Sequence, residues 1–142
     1  MNFIVFITIT LLTLIGILHL YWVFGGKRGL SKALPLKNGK LLFQPDKVLT
    51  LIVTGVMFFF SYIAYALAFY DFNAVEKKEF YIYSGVAIAI IFLLRAIGEF
   101  HVIGFFKKVR DTEFAVYDTK YFSPICVFFG IVFTILTFKA SL

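Results

Sequence analysis

The stretch IIFLLRAIGEFHVIGFFKK, residues 90–108, decides the fold class. Its length and apolar content are typical of a helix that crosses a lipid bilayer, which needs about 20 residues. Three polar side chains interrupt it, those of Arg95, Glu99 and His101. A charge inside a bilayer is costly unless it turns into the protein and finds a partner. The stretch therefore predicts a membrane helix whose polar face points into a bundle.

The composition of the whole chain is that of a membrane protein. Hydrophobic residues make up 61% of its 142 residues, and 20 residues are Phe, whereas soluble domains are about 45–50% apolar. The length suits a single domain. The formal net charge of +6 fits basic loops beside a membrane, so we expect no nucleic-acid partner.

Four apolar segments predict an all-α integral membrane four-helix bundle that forms one domain, residues 1–142. We place the spans at about 3–24, 48–70, 80–106 and 121–139. Ser123 and Pro124 suit the N-cap and first residue of the fourth helix, and residues 119–122 could add a turn before it. The first segment lacks a basic flank and a cleavage site, so we interpret it as a retained span rather than a signal peptide.

The distribution of Lys and Arg predicts the orientation. Residues 25–47 and 107–120 carry ten of these cations, against three in the other loop and the terminal flanks. By the positive-inside rule both loops are cytoplasmic and both termini extracytoplasmic, in a multi-pass protein of the plasma membrane. Asn38-Gly39 in the first loop favours a hairpin turn, although an irregular connection fits the sequence equally well.

The polar residues of the first and third spans form the predicted ligand site. If the third helix continues to residue 106, Arg95 and Glu99 are four residues apart on one face and pair within the helix. His19 and Trp22 of the first span lie at a similar depth and are the natural partners across the bundle. These four residues would line an intramembrane pocket near the cytoplasmic leaflet, where Arg95 holds an anionic group and Glu99 or His19 accepts a proton.

Other polar residues have simpler interpretations. His101 points away from Glu99 and belongs to the interface with Lys107 and Lys108. His19 and His101 share a depth on two different spans, which makes a haem between them an alternative. A lone pair of histidines is a weak signal and His101 faces away from the Glu99 layer, so we expect no cofactor. The single cysteine, Cys126, excludes an internal disulfide and a cysteine-based metal cluster, and we expect no metal site.

The segment GGKRG, residues 25–29, follows the first span directly. Its cations suit a basic flank that sets the orientation of the helix at the anionic leaflet. The alternative is a phosphate or lipid-headgroup site formed by Lys27 and Arg28, with membrane lipids as partners.

Three functions stay open at this point. The first is binding of a lipid or a small polar or anionic ligand in the polar pocket. The second is a non-catalytic accessory or immunity-type protein that acts through partner contacts, with Arg95 and Glu99 in a structural role. The third is a small transporter that works as a homo-oligomer. Whether the protein is an enzyme stays undecided, and acid–base chemistry on a lipid-like substrate would be the natural class.

Four segments together resemble a known family of small four-helix bacterial membrane proteins of unknown function. They are HLYWVFGGKRG (residues 19–29), Gln44-Pro45, LRAIGEF (residues 94–100) and TEFAVYDTKYFSPIC (residues 112–126). The resemblance covers nearly the whole chain, and residues 95–124 are its most specific part. It implies a four-span bacterial membrane protein, and it brings no activity, cofactor or catalytic residue.

Overall fold

Four long apolar helical runs build the protein in a computed structural model, which describes residues 2–37, 40–41, 46–72, 74 and 76–142, with the backbone alone at 36, 37, 40 and 41. Each run is long and apolar enough to cross a membrane. The predicted all-α class with four candidate spans is therefore confirmed, while the side on which the termini lie stays a prediction. In chain order the elements are α1 (Asn2–Val23), α2 (Leu30–Ala33), β1 (Leu36–Lys37), β2 (Lys40–Leu41), α3 (Lys47–Phe69), α4 (Lys78–Ile97), α5 (Glu113–Tyr117), a π-helical segment (Asp118–Phe122) and α6 (Ser123–Ser141).

The long helices pack as two pairs. α1 lies along α3, α4 lies along α6, and α3 joins the pairs by contacting both α4 and α6. Phe92 is central to the buried core, with its ring centroid 4.9 Å from that of Phe129 and 5.6 Å from that of Phe60. Large apolar side chains also cover the outside of the pairs, as expected where a surface faces hydrocarbon.

A glycine lets α4 and α6 approach closely. A Cβ atom at Gly85 would overlap the Thr137 Oγ1 atom and would lie 2.8 Å from Leu67 Cδ1. Ala89, one turn further along α4, is also buried. Small residues four apart allow helix backbones in membranes to come together, and this pair has that role.

We expect Gly85→Ala to lower the free energy of unfolding by about 1–3 kcal/mol, because the added methyl group overpacks the α4–α6 contact. Gly55→Ala is the matched control, since a Cβ atom at Gly55 meets nothing within 4 Å. Unfolding in mixed micelles, followed by circular dichroism, measures both. Equal stability of the two variants would show that the close approach at Gly85 is not needed.

The third span is shorter than predicted. α4 ends at Ile97, because Gly98 adopts φ 85° and ψ −177° and turns the chain away. A side chain at Gly98 would overlap the carbonyl oxygen of Ile103, so this position requires glycine. The amide of Phe105 then donates to the carbonyl of Ala96 at 2.8 Å, which folds the loop back on the helix end. The prediction of a helix to residue 106 is wrong, and residues 98–112 form a loop.

The fourth helical run begins earlier than predicted. Thr112 is its N-cap, and its Oγ1 atom accepts a hydrogen bond from the Ala115 amide at 3.1 Å. Ser123 has helical dihedral angles, φ −65° and ψ −44°, within the run, so its assignment as the N-cap is wrong. The extra turn expected at residues 119–122 is present as part of the π-helical segment. The predicted loop 107–120 is therefore largely helical from residue 113 onwards.

Residues 24–46 form the other loop at this end of the bundle. β1 and β2 pair antiparallel with Leu36 opposite Leu41, a register that suits the predicted hairpin, although Asn38 and Gly39 themselves lie outside the described residues, as do Gln44 and Pro45. The Lys32 ammonium donates to the Tyr117 hydroxyl at 2.9 Å, and this hydrogen bond raises the pKa of Lys32. The loop thus packs against α5. We call the end formed by residues 24–46 and 98–112 the basic end.

Candidate functional site: a buried charge cluster

Three charged side chains meet at the basic end, where α4 stops and the fourth helical run starts. The Arg95 Nη2 atom lies 2.8 Å from Asp118 Oδ1, and the Lys107 Nζ atom lies 2.9 Å from Asp118 Oδ2. Asp118 is fully buried and Lys107 is only 2% exposed. We call Arg95, Lys107 and Asp118 the charge cluster. Buried charges require such pairing, since removing an ion from water is expensive.

The loop 98–112 completes the cluster through its backbone. The amide of Gly104 donates to Asp118 Oδ2 at 2.8 Å. The Lys107 ammonium donates to the Gly104 carbonyl at 2.8 Å, to Thr119 Oγ1 at 2.6 Å and to Asp118. An ammonium group has three donors, and each therefore has an acceptor. Lys107 is thus a buried anchor of the loop, while its predicted depth at the membrane interface beside His101 stays a prediction.

Asp118 lies in the π-helical segment of the fourth helical run. Bonds of the i→i+5 type define such a segment, and here the Ser123 amide donates to the Asp118 carbonyl. π-Helical turns are rare and often occur at functional sites. Ser123 therefore follows Asp118 by one turn on the same side of the helix.

Two polar atoms, one on the charge cluster and one on the first residue of α6, have no partner among the described residues. They are Arg95 Nη1 and Ser123 Oγ, and both are buried. The cluster also has two cations and one anion, so it carries a formal net charge of +1. The Arg95 side chain is 32% exposed and is therefore partly accessible from outside the protein. Both atoms therefore retain an unused hydrogen-bond donor, and the charge of the cluster favours an anion as the acceptor.

A pocket of about 510 Å³ lies between the loop 98–112 and the start of the fourth helical run. It adjoins the charge cluster through Thr119, which accepts the hydrogen bond from Lys107. Two of its lining side chains are cationic, and the others are apolar or carry a hydroxyl group. The described lining residues are Phe105, Arg110, Ala115, Val116, Thr119 and Lys120.

The four predicted ligand-binding residues are not brought together as one pocket wall. Glu99 lies beyond the end of α4, and its Oε1 atom accepts from the Val102 amide at 2.6 Å. The predicted pairing of Arg95 and Glu99 within one helix is therefore wrong, because the helix stops between them and Arg95 pairs with Asp118 instead. Whether these residues bind a ligand stays a prediction.

His19 and Trp22 form a contact of their own on α1. Their ring centroids are 4.8 Å apart, His19 Nδ1 lies 2.8 Å from the Ile15 carbonyl oxygen, and Trp22 Nε1 donates to the Arg28 carbonyl at 2.9 Å. α1 packs mainly on α3 rather than on α4. The observed partners of His19 and Trp22 therefore fix the end of α1 and do not join Arg95.

The remaining predicted polar residues lie at the surface of the basic end. Lys27 and Arg28 are exposed and His101 is half-buried. The His101 carbonyl accepts from the amides of Lys108 and Val109 at 3.0 and 2.9 Å, which tightens the loop. Within the described part of the chain, no three His, Cys, Asp or Glu residues form a group that could hold a metal ion.

Reasoning from the sequence did not single out Asp118 or Ser123 as site residues. One signal was available, since Asp118 is an acidic residue in a stretch that continues into an apolar helix. Gly98 and Gly104 were the other signal, because glycines that flank apolar residues favour a folded loop as well as a helix. What the sequence did not show is which cation the carboxylate would meet.

The comparison with protein families agrees with this architecture. The family model described as "Protein of unknown function (DUF3995)" matches residues 12–133, from α1 well into α6. No curated protein and no solved structure matches the chain. The resemblance to a four-helix membrane family of unknown function is confirmed. Because the match covers most of its length, the chain belongs to the DUF3995 family of proteins of unknown function.

Proposed function

We propose that this membrane protein binds an amphiphile through its oxyanion headgroup, a carboxylate or a phosphate, at Arg95 and Ser123. One observation carries the proposal: Arg95 Nη1 and Ser123 Oγ are buried donors without a partner among the described residues, beside a cluster with a net positive charge. Leaving such donors unsatisfied costs about 1–3 kcal/mol each. A ligand oxygen that accepts from both atoms would remove that cost.

The geometry of Arg95 suits this role. Asp118 holds Nη2 at 2.8 Å, which fixes the plane of the guanidinium group and leaves Nη1 aimed beside it. Arginine binds carboxylates and phosphates in a planar fork, so the headgroup would share the guanidinium with Asp118. Lys107 neutralises the other carboxylate oxygen, and the additional charge of the ligand is then balanced.

The surroundings of Arg95 favour an amphiphile over a fully soluble anion. Leu94 and Ile91, which precede it on α4, are exposed and belong to a candidate membrane span. An alkyl chain could lie along this surface while its headgroup reaches Arg95. We further infer that the basic end faces the cytoplasm of a bacterium, because its loops carry most of the Lys and Arg residues.

Binding of sodium oleate to protein stripped of lipid in a neutral maltoside detergent tests the proposal. We expect Arg95→Lys, which keeps the charge but loses the fork, and Ser123→Ala each to weaken binding about tenfold, the equivalent of one lost hydrogen bond of about 1.4 kcal/mol. Ser141→Ala is the matched control, because its hydroxyl lies at the other end of α6 and already donates to Phe138. It should bind oleate as the natural protein does.

The stability of Ser123→Ala provides an independent readout. If the Ser123 hydroxyl is only an unsatisfied group in a structural brace, its removal raises the melting temperature and leaves oleate affinity unchanged. That result would overturn the proposal and would favour the alternative of an accessory protein in which the charge cluster only holds α4 to α6.

A further inference from the structure

We propose a second binding site, distinct from Arg95 and Ser123, in the 510 Å³ pocket between the loop 98–112 and the start of the fourth helical run. The geometry points to a phosphate group as its ligand, held by Arg110, Lys120 and Thr119. The phosphate belongs either to the headgroup of an anionic phospholipid or to a soluble phosphate ester.

The two cations leave the pocket strongly positive. Arg110 and Lys120 both line it and are both exposed, and none of the described lining residues is acidic. The nearest acids along the chain, Asp111, Glu113 and Asp118, lie outside the lining, and Asp118 is already paired with Arg95 and Lys107. The Arg110 Nε atom donates to the Lys107 carbonyl at 3.3 Å, which anchors the base of the guanidinium and leaves its two terminal nitrogens for a ligand.

Thr119 adds a directed donor. Its Oγ1 atom accepts from the Lys107 ammonium at 2.6 Å, so one lone pair is occupied and the hydroxyl hydrogen must point elsewhere. A hydroxyl group that has accepted from a cation is a better donor to an anion, because hydrogen bonds in a chain polarise one another. Thr119 thus connects the buried charge cluster to the pocket and turns an O–H group outward.

The apolar residues of the lining indicate at which depth of the membrane the phosphate would bind. Phe105 and Val116 are both exposed and form part of the pocket wall. A wall that combines hydrocarbon with two cations matches the boundary between acyl chains and headgroups, where snorkelling cations contact lipid phosphates. The site lies on loop and helix-start residues, whereas the site of the proposed function uses α4 and α6.

The test measures binding of dioleoylphosphatidylglycerol and dioleoylphosphatidylcholine by native mass spectrometry, and of glycerol 3-phosphate by titration calorimetry. We expect the natural protein to retain the anionic lipid in preference to the zwitterionic one. The double variant Arg110→Gln/Lys120→Gln should lose at least tenfold in affinity for the phosphate probe. If the protein retains the anionic lipid but does not bind glycerol 3-phosphate, the phosphate ligand of the pocket is a lipid headgroup. If it binds both, the pocket also accepts a soluble phosphate ester.

Lys77→Gln/Lys139→Gln is the matched control, because it removes the same charge at the opposite end of the bundle. Both of its lysines are exposed, and binding should be unchanged. Arg110→Lys/Lys120→Arg should restore most of the affinity if the charges matter. Equal binding of every phosphate probe by the natural protein and the Gln double variant would overturn this proposal. Because Arg95 and Ser123 are untouched in these variants, oleate binding should persist, which separates the two sites.

Discussion

Asp118→Asn should be among the most destabilising polar substitutions in this chain, with a loss of about 3–5 kcal/mol in the free energy of unfolding. The carboxylate is fully buried and is shared by two cations. Without its charge, the buried Lys107 and the half-buried Arg95 remain as two cations with no anion between them. The Gly104 amide also loses a charged acceptor, so the loop 98–112 loosens together with the ion pairs.

Reversible unfolding in mixed micelles, followed by circular dichroism, gives this loss directly. Asp111→Asn is the control, because Asp111 is exposed in the same loop and its substitution should change the stability by less than about 0.5 kcal/mol. In the double variant Lys107→Met/Asp118→Asn the loss of stability should be smaller than the sum of the losses in the two single variants, because both substitutions remove the same ion pair. A loss below about 1 kcal/mol for Asp118→Asn would show that the cluster does not hold the basic end together.

Gly104→Ala should also reduce stability severely, by about 2–6 kcal/mol, as the sum of two costs. Gly104 has φ 87°, a conformation that costs a residue with a Cβ atom about 1–3 kcal/mol. The new methyl group would also overlap the carbonyl oxygen of Ile97, and overpacking of this kind typically costs a further 1–3 kcal/mol.

Gly25→Ala separates these two costs. Gly25 has a similar φ of 92°, but a Cβ atom there meets nothing within 4 Å. It should therefore lose only the backbone contribution of about 1–3 kcal/mol. The difference between the two variants, measured in the same micelles, is the cost of the collision with the end of α4. Equal losses in the free energy of unfolding for Gly104→Ala and Gly25→Ala would mean that the loop can move away from Ile97 without loss of stability.

The first two spans could be located from the sequence to within one residue. α1 covers residues 2–23 and α3 covers 47–69, against predictions of 3–24 and 48–70. Gly25 and Gly26 follow the apolar run of α1, and charged residues bound that of α3 at Lys47 and Asp71, so hydropathy and helix boundary coincide at these ends. The antiparallel pairing of β1 and β2 suits the hairpin, which was one of the two predictions for this loop.

The end of α4 could not be placed in the same way. Residues 100–106 are mostly apolar, and such residues suit a packed loop as well as a lipid-exposed helix. Hydropathy indicates that a segment avoids water, but it does not indicate whether the backbone hydrogen bonds of that segment form within a helix. Gly98 was the local signal, yet a single glycine is tolerated in many membrane helices. The prediction of an Arg95–Glu99 pair was built on this extension and was lost with it.

The partner of Arg95 depended on tertiary structure. Arg95 was expected to turn inward because a charge in lipid is costly, and the buried ion pair with Asp118 agrees with that physical argument. The partner itself lies 23 residues away, across a loop whose path no local pattern specifies. The sequence thus predicted that a partner was needed and did not reveal which residue supplies it.

The spacing of residues along the fourth helical run fixes the direction in which Asp118 points. Along α6 the buried positions Phe129, Phe133, Leu136 and Ala140 recur every three or four residues. Asp118 lies about three α-helical turns before Phe129, and it is fully buried. Adding or removing one residue between positions 118 and 123 would rotate Asp118 by about 100° around the helix axis, away from Arg95 and Lys107. The number of residues between positions 118 and 123, as much as their identity, therefore decides whether the carboxylate meets its two cations.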